Sequence, residues 1–147
     1  MFVQISIGSL LLLVSIGVAS LGFWIMEVSL GRAKGWLGRP PHRLKMFIVL
    51  AAVSTWILGQ ITVGVWLWAF TFLGPGIFES LEPSVYFALV ALTTLGFGDI
   101  LLPMEWRILG GMAAANGLLN FGLLTAILIE GMRYARVHQQ TEKEKKP

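Results

Sequence analysis

The chain has 147 residues, 56% of them hydrophobic and only 13% charged, where soluble domains carry about a quarter charged residues. Mean hydropathy is +0.76 and the charges are bunched, leaving long stretches with none, which excludes an ordinary soluble globular domain. Cysteine is absent, so disulfides, thiolate nucleophiles and zinc–thiolate sites are excluded too.

A spanning helix needs roughly 20 apolar residues to cross a hydrocarbon core about 30 Å thick. Phe2 to Met26 is uncharged and long enough. It lacks the basic start of a signal peptide and exceeds the usual apolar core of one, so it is expected to remain as a transmembrane helix over 1–28. It carries no arginine ladder, which excludes a voltage sensor, and it is expected to pack outside whatever the other spans form. Residues 29–45 are a basic loop with Arg32, Lys34, Arg39, Arg43 and Lys45. Met46 to Phe78 is again uncharged, and the second span is expected over 46–73, ending at Gly74-Pro75-Gly76. Ser84 to Leu95 is apolar but about half the length a crossing needs. It reads as a re-entrant segment, which is tolerable at membrane depth where its end is buried in protein or lines water. A third span, Ile108 to Ile129, lies within a helix expected over 107–130. The tail, 131–147, ends in Gln139 to Pro147, whose polar composition predicts disorder.

Charge placement orients these spans. The 31–45 loop is basic, and Arg133, Arg136, Lys143, Lys145 and Lys146 follow the last span, whereas Glu79, Glu82, Asp99 and Glu105 face a single Arg107 in residues 79–107. The positive-inside rule therefore places the loop and the C-terminus in the cytoplasm and the N-terminus outside. Three spans require the termini on opposite sides, in agreement. The 31–45 cluster also suits anionic lipid head groups; nucleic-acid binding does not suit a short membrane-bound loop.

The string Thr93-Thr94-Leu95-Gly96-Phe97-Gly98-Asp99 closes the re-entrant segment and resembles the selectivity filter of the potassium-channel pore family, usually TTVGYGD. To strip water from a monovalent cation a pore must offer several oxygens at once in a rigid ring. Backbone carbonyls do so without fixed negative charge. Turning successive carbonyls to one side needs residues that accept positive φ, which Gly96 and Gly98 supply. Asp99, at the outer mouth, would concentrate cations. Gly117-Leu-Leu-Asn-Phe-Gly-Leu-Leu-Thr-Ala126 is similar to the inner helix of the simplest bacterial members.

That resemblance, over about residues 46–130, implies an all-α membrane protein with three transmembrane helices per chain and a re-entrant pore helix (84–94) and filter (94–98) between the second and third. It implies K⁺ held by Thr94, Leu95, Gly96, Phe97 and Gly98, Asp99 at the pore mouth, a gating hinge at Gly117, and Leu118, Phe121 and Thr125 lining the cavity below. The implied assembly is a homotetramer in a bacterial plasma membrane, conducting K⁺ passively with no catalysis. A non-selective Na⁺/K⁺ channel and a non-conducting pore-like subunit are the alternatives.

Several residues stay ambiguous. Leu95 and Phe97 stand where the family usually has Val and Tyr, and Phe97 cannot brace the filter by a hydrogen bond. Val90 occupies a position where some members carry a carboxylate paired with the mouth aspartate. Tyr86 is within reach of Asp99 or of interfacial water. Asn116 and Asn120 share a face of the third span, either as cavity ligands or packed against another helix with Gln60 as partner. Glu27 and Glu130 suit snorkelling or pairing with a basic neighbour. His42 and His138 have no visible ligand partner.

Overall fold

The computed structural model describes residues 1–37 and 41–144, without the side chains of residues 34, 42, 135 and 138–144. The described residues form helices α1 (Phe2–Arg32), α2 (Lys34–Leu37), α3 (His42–Leu73), α4 (Leu81–Leu92) and α5 (Arg107–Glu144), with a 3₁₀ turn at Met104–Trp106 before α5 and no strand. Among the described residues, three stretches of 31 residues are long and apolar enough to cross a membrane: Phe2–Arg32, Arg43–Leu73 and Met104–Tyr134. The 12 residues of α4 reach only about 18 Å at 1.5 Å per residue, roughly half a bilayer core. The chain is an all-α integral membrane protein.

The boundaries follow from local chemistry. Pro75 has no N–H to continue α3. The Gly74 N–H closes the last turn on the Phe70 carbonyl at 2.9 Å, and Gly76, at φ +72°, reverses the chain. Ser80, extended at φ −141°, precedes α4. Pro83 is the third helical residue, where an N–H has no acceptor within the helix, so the ring costs no hydrogen bond. Between α3 and α5, α4 is wedged on a core of Trp68, Ala69, Phe72, Ala88, Leu92, Leu109 and Ala113. The rings of Phe72, Phe78 and Phe87 pack about its amino-terminal half, with Phe72 and Phe87 edge-to-face at 5.1 Å. A second cluster of Met26, Leu37, Val49, Val53, Leu124 and Ile127 closes the other end of the bundle.

The first helix is more than an outer attachment. It lies chiefly along α5 and touches α3 much less. Its buried positions are Gln4, Gly8, Leu11, Ser15, Ala19, Gly22 and Met26, in steps of three and four that keep one continuous stripe along the helix. Gln4 meets Glu105 and Leu109, Gly8 meets Met112, and Met26 lies against Gly131. Contacts that advance together down both helices make α1 and α5 parallel, with α1 holding one register over its whole length.

Several expectations are corrected. The pore helix starts and ends earlier than 84–94, leaving Thr93 and Thr94 outside it. The first helix runs past 28 to Arg32, and α2 occupies part of the loop. The helix expected over 107–130 continues to Glu144, so Gln139–Glu144 is helical rather than disordered; Gln, Glu and Lys are good helix formers that need no packing to favour that conformation. Lys145 and Lys146 lie outside the described residues. In the basic cluster, Lys45 is buried, its Nζ donating to the Trp36 carbonyl and sitting 4.8 Å over the Trp36 ring, so it faces protein rather than lipid. Arg32 and Arg43 are exposed; Arg39 and the side chains of Lys34, His42, His138 and Lys143 lie outside what is described.

Candidate functional site

The site begins where α4 stops. The Thr94 N–H bonds the Ala91 carbonyl at 3.0 Å, and the Leu95 N–H bonds that of Val90 at 3.1 Å. This pair of bonds closes a helix when the residue after its cap turns left-handed. Thr94 is that residue, at φ +60°, the one non-glycine with positive φ among the described residues. A side-chain-bearing residue held there costs about 1–2 kcal/mol, a strain typical of functional sites. Gly96 (φ +59°) and Gly98 (φ +75°) follow, while Leu95 and Phe97 stay on the negative side. Handedness therefore reverses at every residue from 94 to 98. In an extended strand successive carbonyls point to opposite sides; this alternation turns them to the same side. Residues 94–99 are all exposed, Leu95 at 59% and Phe97 at 65%, so a single chain contributes one edge of a site and nothing that encloses it.

Behind this strand, Val90 is buried and apolar, and no carboxylate pair exists there. The bracing comes from Tyr86, whose hydroxyl donates to Asp99 Oδ2 at 2.6 Å. That bond is the main reason the Asp99 carboxyl is held below the usual carboxylate range, opposed by a slight loss of hydration and helped by the backbone N–H groups of Asp99 and Ile100. A lowered pKa means the bond is kept at neutral pH and lost only as pH falls through that lowered value. We expect Tyr86→Phe to shift the acid loss of activity to higher pH. The measurement is current against pH for both proteins, and superimposable acid limbs would assign the brace elsewhere.

Gly117 of α5 crosses the carboxyl end of α4. A Cβ there would land on the Leu92 carbonyl and within 2.6 Å of Leu92 Cα. Here the glycine supplies room for a backbone, and α5 passes through it as continuous helix.

A family profile described as ion channel matches residues 46–134. The chain belongs to this ion-channel family, that of the potassium-channel pore domain. It is a family of channels, not of enzymes. The potassium voltage-gated channel subfamily A member 2 of Oncorhynchus mykiss is 31% identical over 68 residues, which cover 46% of this chain and 14% of that protein. The chain thus matches a small part of that relative's length. No solved structure matches.

The other residues singled out in this channel chain fall in two groups. Leu118, Phe121 and Thr125 lie on an exposed face of α5, with the Thr125 hydroxyl donating to the Phe121 carbonyl at 2.7 Å. Asn116 and Asn120 face the other way. Their partner is Ser15 of α1, at 3.1 Å from each amide nitrogen, and not Gln60, which packs over Gly22. Glu130 pairs with Arg133 at 3.2 Å, an exposed contact worth less than about 0.5 kcal/mol.

Sequence reasoning missed Ser15 and Gln4. The available signal was the seven-residue spacing of Gly8, Ser15 and Gly22, small residues that let helices approach closely in lipid.

Proposed function

We propose that four copies of the chain close around one axis and conduct K⁺ passively across the membrane through rings of filter carbonyls from Thr94 to Gly98, with Asp99 from each copy at the outer mouth. The observation that carries this reading is the alternation of handedness at Thr94, Gly96 and Gly98, which aims consecutive carbonyls at one line, as dehydration of a monovalent cation requires. The exposed Leu95 and Phe97 side chains need apolar cover that neighbouring copies would supply. The carboxyl end of α4 abuts the strand, and its partial negative charge favours a cation there. The basic residues around α2 and in the carboxyl-terminal part of α5 favour the orientation with these ends in the cytoplasm, where Arg32 and Arg43 would meet anionic head groups. The deciding measurement is the reversal potential of the purified full chain in planar bilayers, with K⁺ on one side and Na⁺ on the other. A value near the potassium equilibrium potential is expected; a value near zero would overturn the selectivity.

Phe97 favours a second reading, a pore that also passes Na⁺, because its ring offers no hydroxyl to hold the strand. Under that reading Phe97→Tyr raises the K⁺/Na⁺ permeability ratio several-fold. An unchanged ratio would leave bracing to the Tyr86–Asp99 bond.

A further inference from the structure

Asn116 is wholly buried and Ser15 nearly so, both within membrane-spanning helices where an unsatisfied amide has no water to turn to. The Ser15 oxygen accepts an N–H from each asparagine, at 3.1 Å in both contacts, filling both of its lone pairs. The Asn120 amide also donates to Asn116 Oδ1 at 2.9 Å. One hydroxyl on α1 therefore holds one full turn of α5, and Gly117, seated on the Leu92 carbonyl, is inside that turn. A cavity of about 40 Å³ lined by Ser15, Gln60, Leu92, Gly117 and Asn120 adjoins the contact, so α1, α3, α5 and the carboxyl end of α4 meet at one place. Higher up, the Gln4 amide bridges the Glu105 carbonyl and the Leu109 N–H across the first turn of α5, the second distance being 3.4 Å. Lower down, Met26 packs on Gly131.

We propose that α1 is a working part of the pore and Ser15 a positioning residue: its hydroxyl fixes the rotation of α5 about its own axis and keeps Gly117 seated under the filter. Bending of α5 at Gly117 has to break this hold, because α1 is continuous and gripped above, at and below the glycine. Ser15 touches no ion path; it acts through Asn116 and Asn120. The effect on conduction rests on the reading of the chain as a pore, whereas the docking of α1 does not.

The test has a structural arm and a functional arm. The chain has no cysteine, so Gly8→Cys with Met112→Cys introduces a clean pair. Oxidation in liposomes should form a disulfide within each chain, read on a non-reducing denaturing gel as monomers of altered mobility. Dimers, which would mean that α1 docks on a neighbouring copy, or failure to oxidise would overturn the proposal whether or not the chain conducts. In single-channel recordings Ser15→Ala should change open probability at least several-fold, with unitary conductance and reversal potential unchanged. Ser15→Thr, which keeps the hydroxyl, should stay at the parent value. In an Asn116→Leu, Asn120→Leu background Ser15→Ala should have no further effect. An effect of equal size in both backgrounds, or none in either, would defeat the positioning role. If the parent chain carries no current, that failure belongs to the proposed function, and the same cycle is read as tetramer melting in detergent. There Ser15→Ala should lower the melting point only where both asparagines are present.

Discussion

Gly117→Ala should abolish assembly of the proposed tetrameric pore. The added methyl would occupy the space of the Leu92 carbonyl, a backbone group at the end of a helix that cannot rotate aside as a flexible side chain would. Either α5 retreats from α4 or α4 tilts, and each movement opens the core of Trp68, Ala88, Leu109 and Ala113. Overpacking commonly costs about 1–3 kcal/mol. A backbone obstacle puts this substitution at the upper end, about 3 kcal/mol for each chain and several times that for a symmetric assembly. The observable is the tetramer fraction on size-exclusion chromatography in mild detergent, with current in bilayers as a second reading. Gly17→Ala is the control. A methyl there meets nothing within 4 Å, and removing a glycine from a helix interior gains up to about 1 kcal/mol. The outcome separates two roles for the same residue. A glycine needed only as a hinge would tolerate alanine in assembly and lose mobility; one needed for room loses the assembly. Normal tetramers with altered gating would refute the packing argument.

Gly96→Ala should remove conduction and leave assembly intact. Nothing lies within 4 Å of the position a Cβ would take, so the obstacle is conformational. At φ +59° an L-residue costs about 1–2 kcal/mol, and four strands in the proposed ring would bring that to about 4–8 kcal/mol against the aligned state. Since about 1.4 kcal/mol is a factor of ten, more than a hundredfold loss of current is expected, with unchanged helix content and tetramer fraction. A semisynthetic chain with D-alanine at 96 is the decisive control, because it carries the same methyl and accepts positive φ. Restored current would assign the loss to the dihedral; continued silence would assign it to the methyl itself.

Much of this was legible in the sequence, for identifiable reasons. Spans are read from length and apolarity, and the uncharged runs from Phe2 and from Met46 left little choice. Gly96, Gly98 and Asp99 were legible because positive φ and exposed charge are properties of single residues. Thr94 was harder: its left-handed turn comes from the way α4 ends, through the Val90 and Ala91 carbonyls, and a threonine by itself does not announce that. The partner of Asn116 and Asn120 was misread for a more general reason. When helices are apolar on every side, the pattern does not say which neighbour covers which face, and Ser15 was passed over for Gln60. The same ambiguity hid the inward turn of Lys45 onto Trp36.

The parallel pairing of α1 with α5 carries a consequence for biosynthesis. Gln4 and Ser15 enter the bilayer with α1, ahead of α5, yet their hydrogen-bond partners lie 101 to 105 residues later in the chain. Until the last span emerges these two side chains are stranded in lipid, and the bundle cannot close. Ribosome-bound intermediates that stop before residue 105 should therefore hold α1 loosely, open to retention by insertion chaperones. Release should come late and in one step, when the final helix arrives beside the first.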